Sequence, residues 1–363
     1  MDMNKTGFGF MRLPQKEEKI DFSLLCQMVD AFIKRGGTYF DTAYIYLDGE
    51  SEEALKKTVV ERYPRESFQI ADKLPSWRIK SHEDCQRYFD EQLRRCGVTY
   101  FDVYLVHSLT EENYKVCEKT DQFAFVRKMK AEGKARQIGF SFHGSPELLE
   151  QILADHPEVD CVLLQINYLD WDSVSVQSRR CYEVAAKYGK RILVMEPVKG
   201  GTLAKLPEKA EALLRSFRPD WSIPSWAIRF VTSLEKVDIV LSGMNTLEQI
   251  YDNMQAFEPL TQEERECLAQ TADIIRAGTA IQCTGCDYCT PNCPTGIPIP
   301  QFFKLFNEYS QSGEAGNLQE QYDALADAGS KASACIECSQ CEQSCPQKLE
   351  ITNLLKLTAR AFG

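Results

Sequence analysis

Asp41-Thr42-Ala43-Tyr44-Ile45-Tyr46 follows a short run, Gly37-Thr38-Tyr39-Phe40, and precedes Gly49-Glu50-Ser51-Glu52, which reads as a turn and a helix start. A carboxylate at the mouth of a strand, with phenols a few residues on, is how a barrel of parallel strands presents chemistry. Working outward, eight strand-like segments lie at about 6–11, 38–41, 68–73, 102–106, 137–141, 162–166, 191–196 and 238–241, each followed by a helix-like segment. Tyr104-Leu105-Val106 and Ile192-Leu193-Val194-Met195 are short apolar runs, as expected of parallel strands covered on both faces. The segments between them keep helical spacing, as in Phe22, Leu25, Val29, Phe32 and Ile33 or Leu148, Leu149, Ile152 and Leu153. Eight βα units over about 250 residues predict an α/β fold, a (β/α)8 TIM barrel. Gly7-Phe8-Gly9-Phe10-Met11-Arg12 lacks the third glycine that a doubly wound dinucleotide fold would need after its first strand.

The 363 residues are 44% hydrophobic and 26% charged, which supports one large core and a small second domain. The formal net charge of -11 argues against a nucleic-acid or anionic-membrane partner. No apolar run reaches the roughly 18 residues of a membrane span. Met1-Asp2-Met3-Asn4-Lys5 lacks the basic and apolar regions of a signal peptide, so the expected location is the cytoplasm. Seven of the fifteen cysteines (Cys26, Cys85, Cys96, Cys117, Cys161, Cys181, Cys267) are scattered and read as free thiols in a reducing compartment. The other eight form two runs near the C-terminus. The expected division is a barrel over 1–260, a linker helix over 261–279 and a second domain over 280–363.

The second strand ends at Asp41, the third at Lys73 and the fourth at His107, so three ionisable residues and Tyr46 converge on one barrel mouth. Singly, each has a plain structural reading: a solvated lysine, a core histidine, a packed tyrosine. Together, Asp41, Tyr46, Lys73 and His107 resemble the tetrad of the aldo-keto reductases, with that family's Asp-to-Tyr spacing. The resemblance runs over about residues 6–257, through Ile138-Gly139-Phe140-Ser141, Gln165-Ile166-Asn167-Tyr168, Glu196-Pro197-Val198-Lys199-Gly200-Gly201 and Ser242 to Asn253.

The residue types suit reduction of a carbonyl by hydride transfer, which develops an alkoxide that must be protonated. A free tyrosine, with a pKa of about 10, is a poor acid at neutral pH. A nearby ammonium is expected to lower that pKa, and a carboxylate to keep the ammonium charged and in place. Tyr46 is therefore the expected proton donor, Lys73 its tuner, Asp41 the anchor of Lys73 and His107 the residue that orients the substrate oxygen. Tyr44 is the weaker candidate.

The resemblance further implies a nicotinamide dinucleotide beside Met11, Arg12 and Asp41. Ser141 and Gln165 would hold its carboxamide, Glu196, Pro197, Val198, Gly200 and Gly201 would cover the pyrophosphate, and Gly243, Met244, Gln249 and Asn253 would hold the adenosine. Phe142 stands where many members have Asn, and Glu196 where Ser is frequent. Gly243 and Gln249 stand where many carry Lys and Arg for a ribose 2′-phosphate, which charge-assisted bonds hold best. NADP(H) is expected over NAD(H). Trp77, just after the Lys73 strand, is a candidate pocket residue, as is His143.

Cys283-x-x-Cys286-x-x-Cys289-x-x-x-Cys293-Pro294 recurs as Cys335-x-x-Cys338-x-x-Cys341-x-x-x-Cys345-Pro346. This is the bacterial ferredoxin run, in which three close thiolates hold one [4Fe–4S] cube and the fourth reaches the other cube. By that rule Cys283, Cys286, Cys289 and Cys345 share one cube, and Cys335, Cys338, Cys341 and Cys293 the other. The alternative, a pair of zinc sites, leaves a surplus cysteine in each run. Helix-like segments between and after the runs predict a mainly helical two-cluster ferredoxin-like domain.

Nicotinamide moves two electrons as a hydride, whereas each cube accepts one. A flavin normally joins the two, and no flavin motif is present. Three readings stay open: a carbonyl reductase of small-molecule substrates whose clusters are structural or sense oxidation; an oxidoreductase coupled through a flavin or through a ferredoxin or flavodoxin electron partner; and a nicotinamide-binding redox sensor or electron-transfer subunit without carbonyl turnover.

Overall fold

The computed structural model describes residues 5–255, 258–312 and 316–363. The reading of Met1-Asp2-Met3-Asn4 as no signal peptide lies outside the described residues.

Eight parallel strands close a barrel: β1 (Thr6–Gly9), β2 (Tyr39–Asp41), β3 (Gln69–Leu74), β4 (Phe101–Leu109), β5 (Ala135–Phe142), β6 (Cys161–Gln165), β7 (Arg191–Met195) and β8 (Val237–Gly243), with β8 pairing back onto β1. All eight fall on the strand-like segments read from the sequence. A two-stranded antiparallel hairpin, Gln15–Lys16 with Lys19–Ile20, is additional and has no apolar run to announce it.

Because strand side chains alternate, every second residue faces the lumen. Tyr39, Ala71, Val103, Leu105, Cys161, Leu163, Leu193, Ile239 and Leu241 fill it as one apolar cluster. Gly139 sits in this packing for a steric reason: a Cβ there would lie 2.0 Å from the Cys161 carbonyl oxygen. The same alternation carried one step toward the carboxyl ends gives Asp41 above Tyr39, Lys73 above Ala71, His107 above Leu105, Ser141 above Gly139 and Gln165 above Leu163. Between the strands and their helices, Phe8, Phe10, Phe32 and Phe40 interlock with ring centroids 5.1–6.3 Å apart, the range in which tilted aromatic pairs attract.

The chain divides into two compact units. The first comprises Met1–Ser173, Gln177–Pro197 and Ser225–Leu260; the second comprises Val174–Val176, Val198–Pro224 and Thr261–Gly363. In the second, the helix Gln262–Gly278 packs on Glu208–Phe217, and Glu264 accepts from Arg218 Nε at 2.8 Å. The helices Ile299–Ser312, Gly316–Ala328 and Ile351–Phe362 share a core in which Phe302, Tyr322 and Phe362 stack. Phe302 and Phe303 are fully buried in that core, and Phe306 packs against it. Among the described residues no helix is long and apolar enough to cross a membrane.

Candidate active site and cysteine sites

Strand order places the expected tetrad at one end of the barrel. Lys73 Nζ donates to Asp41 Oδ1 at 2.6 Å and to the Thr42 carbonyl at 2.7 Å, and the lysine is 1% exposed. Its ammonium also lies 4.8 Å from the centroid of the Tyr46 ring. His107 meets that ring edge-on, centroids 6.0 Å apart, and Trp77 lies 5.3 Å from the His107 ring. Tyr44 belongs to a different network: its hydroxyl donates to Glu91 Oε2 at 3.2 Å, and the Arg95 guanidinium stacks on its ring.

The loop that carries Tyr46 is strained. Leu47 and Asp48 both have left-handed backbone, with φ of 51° and 54°, ahead of Gly49 at 93°. Non-glycine residues cost roughly 1–2 kcal/mol each in that region, so the surroundings must hold them there. Ser108, next to His107, is also left-handed at φ 58°, where β4 slips register against β5. This bulge turns the Ser108 N–H onto Ser141 Oγ at 2.7 Å, leaving the Ser141 hydroxyl proton to donate elsewhere.

Electrostatics correct one expectation. Burial first, then the carboxylates of Asp41, Asp72 and Glu196, hold the Tyr46 phenol well above its ordinary value; Arg12 pulls the other way. The phenol is thus neutral in this state rather than acidified, because desolvation and the neighbouring carboxylates outweigh the pull of Arg12. Asp41 is itself raised, by burial against the pull of Lys73. Burial, then Lys73 and His143, push the His107 imidazole well below its ordinary range, so it is neutral at pH 7.

Beneath Lys73 lies a network the sequence did not disclose. Asp72 Oδ1 accepts from the Lys73 N–H and from Gln92 Nε2, both at 2.7 Å, and Gln92 Oε1 accepts from the Tyr104 hydroxyl. Glu52 accepts from Arg95 at 3.1 Å, and its charge acts on Asp72. Burial, then the Glu52 charge, raise Asp72 well above the carboxylate range.

Of the residues expected around a dinucleotide, Gln165 Nε2 donates to Asp170 Oδ2 at 2.9 Å, and Asn167 donates both to Asp170 and to the Glu196 carbonyl. Asp170, three residues past Asn167, is a further residue that sequence reading missed. Glu196 has left-handed backbone at φ 57° and belongs with Pro197 to the first unit, whereas Val198, Gly200 and Gly201 belong to the second. Arg12 lies against Gly243, where an added Cβ would stand 3.5 Å from the Arg12 Cβ. Met11 is half-buried beside it. Met244 is fully buried, and Asn253 Nδ2 donates to Ser242 Oγ, so both brace the fold. Gln249 caps its own short helix, its Oε1 accepting from the N–H groups of Asn245 and Thr246.

The eight clustered cysteines gather in two sets, each drawn from both runs. Cys286 and Cys345 act electrostatically on Cys283, and all three act on Cys289. Cys293, Cys335, Cys338 and Cys341 line one hollow with Ile299 and Ile336. Burial pushes the thiols of Cys283 and Cys341 up to about 11 and that of Cys289 up to about 12, so they ionise only beside a compensating cation. Four thiols in each set, three from one run and one from the other, match the donor set of a [4Fe–4S] cube.

Comparison with known proteins agrees with both halves. The aldo/keto reductase family model matches residues 5–272, and the chain belongs to that family; it is an oxidoreductase. A 4Fe-4S dicluster domain model matches residues 282–349. An uncharacterized oxidoreductase of Bacillus subtilis is 23% identical over 295 residues, covering 74% of this chain and 92% of that protein. Glyoxal reductase of the same organism is 32% identical over 155 residues, covering 41% of this chain and 50% of its own. Among solved structures, an aldo-keto reductase of Bacillus halodurans aligns with a TM-score of 0.58 at 23% identity, covering 74% of this chain and 91% of its own. One from Klebsiella pneumoniae in complex with NADPH gives 0.58 at 18% identity, covering 75% and 90%.

Proposed function

We propose that the barrel reduces the carbonyl of a small aldehyde or ketone to an alcohol, with NADP(H) as hydride donor and Tyr46 as general acid. The Klebsiella relative binds NADPH, which favours that dinucleotide over NAD(H). The observation that carries the reading is the buried Lys73 ammonium, fixed between Asp41 and the Thr42 carbonyl and 4.8 Å from the Tyr46 ring.

A bound reduced nicotinamide supplies the hydride to the carbonyl carbon. Tyr46, a neutral phenol in the free protein, is loaded with the proton that the developing alkoxide oxygen takes. As it leaves, the phenolate charge forms beside Lys73, whose ammonium stabilises it where water is excluded. Asp41 holds Lys73 in place. His107, neutral, has a ring N–H to donate to the same oxygen, and Trp77 packs 5.3 Å from its ring. Carbonyl, hydride and proton together make the alcohol.

We assign Cys283, Cys286, Cys289 and Cys345 to one [4Fe–4S] cube and Cys335, Cys338, Cys341 and Cys293 to the other. The grouping of each fourth cysteine with the opposite run supports this. Cys345→Ala should then unload the cube of the first run and halve the iron; iron lost from the second run would overturn the assignment. The activity is tested by anaerobic NADPH and NADH oxidation with a panel of aldehydes. Aldehyde-dependent oxidation supports the reading, and its absence across the panel favours a redox sensor.

A further inference from the structure

The two cysteine runs fold alike. Gly285 and Glu337, Asp287 and Ser339, and Gly296 and Lys348 occupy equivalent places, and all six have left-handed backbone. Each Cys-Pro turn also curls its own N–H groups onto its cysteine: those of Thr295, Gly296 and Ile297 onto Cys293, and those of Gln347, Lys348 and Leu349 onto Cys345. The residue after the proline breaks the symmetry. Thr295 places its hydroxyl 3.3 Å from Cys293 Sγ. Gln347, at the same place in the second run, accepts from Lys199 Nζ at 2.8 Å.

Lys199 comes from the Val198–Pro224 segment of the same compact unit and is 1% exposed. Its backbone is left-handed at φ 47°, followed by Gly200 and Gly201, also left-handed. An unusual backbone holding a buried lysine points to a constraint on where the ammonium sits. Its charge reaches Cys283 and Cys345, one from each run and both in the same set. The other set opens outward, with Cys338 exposed and Ile336 63% exposed.

On the reading that Cys283, Cys286, Cys289 and Cys345 hold a [4Fe–4S] cube, we propose that Lys199, placed by Gln347, selectively raises the reduction potential of that cube. A cube that gains an electron becomes more negative, and burial of its ligands opposes that change. A fixed ammonium in the same low-dielectric surroundings favours it. In the outer set the residue equivalent to Gln347 is Thr295, whose hydroxyl lies against Cys293 Sγ itself. Lys199 is thus a positioning residue that makes it easier for that cube to accept an electron.

The test is an EPR-monitored redox titration of the full-length protein, purified anaerobically, as wild type, Lys199→Met and Lys199→Arg, with iron counted in each. The inner cube is identified as the signal lost in Cys345→Ala. The expected result is full iron in Lys199→Met and an inner midpoint lowered by at least about 59 mV, a tenfold change for a one-electron couple. The outer midpoint stays put, and Lys199→Arg returns the inner one toward wild type. Full iron with both midpoints unmoved, or moved equally, overturns the proposal. If Lys199→Met sheds the inner cube, Gln347→Glu decides: a carboxylate facing the ammonium should lower the inner midpoint, and an unchanged one overturns the proposal. Wild type without a [4Fe–4S] signal would instead remove the cluster assignment itself.

Discussion

Lys73 Nζ sits 2.6 Å from Asp41 Oδ1, with both side chains almost wholly withdrawn from solvent. Two charges are buried together at the ends of adjacent strands, and such a pair is rarely kept for stability alone, since apolar replacements often hold a core as well. Asp41→Asn would leave the lysine charge without its counter-ion, at a cost of about 3–5 kcal/mol. Lys73→Met should cost less, because Asp41, already raised by burial, takes up a proton. Turnover should fall by about 10²–10⁴ in Lys73→Met through loss of acid catalysis. Thermal denaturation and steady-state rates of the two variants check the order: Asp41→Asn the less stable, Lys73→Met folded and nearly inactive.

The pH profile follows from two neutral groups. His107 is held well below its ordinary range and Tyr46 well above its own, both chiefly by burial. For kcat/KM measured on the dinucleotide, which reports ionisations of the free protein, neither group should titrate between about pH 6.5 and 9. A limb centred near pH 7–8 that disappears in Tyr46→Phe would contradict the neutral-phenol account.

Asp72 makes a stability prediction with a definite sign. Its folded-state pKa is raised from 3.8, so above that pH the folded protein keeps a proton that the unfolded chain releases. Stability therefore declines as pH rises from about 4 toward the folded value. Asp72→Asn keeps an oxygen for the Lys73 and Gln92 N–H groups and removes the titration. Between about pH 5 and 8 its denaturation midpoint should fall less with pH than that of wild type. Parallel curves would contradict the upward shift of Asp72.

The barrel was legible because buried parallel strands are written as short apolar runs, and the tetrad because alternation along those runs ends in ionisable residues. The two cysteine runs were legible from their repeated spacing. What could not be read depends on burial or register. Lys199, between Val198 and two glycines, looks like an exposed loop lysine. The slip at Ser108 arises from pairing of β4 with β5, and no local residue marks it. The upward shift of Tyr46 needs the depth of the ring, which the spacing of Asp41 and Tyr46 does not encode. The Asp72–Glu52 pair joins residues from a strand and a distant helix, both ordinarily solvated types.

The central claim is that Tyr46 delivers the proton to the substrate oxygen, and Tyr46→Phe tests it most directly because it removes one oxygen and keeps the ring. Single-turnover carbonyl reduction with bound NADPH should slow by about 10²–10⁴, with dinucleotide affinity unchanged. A Tyr46→Phe protein that reduces aldehydes at the wild-type rate would contradict the account.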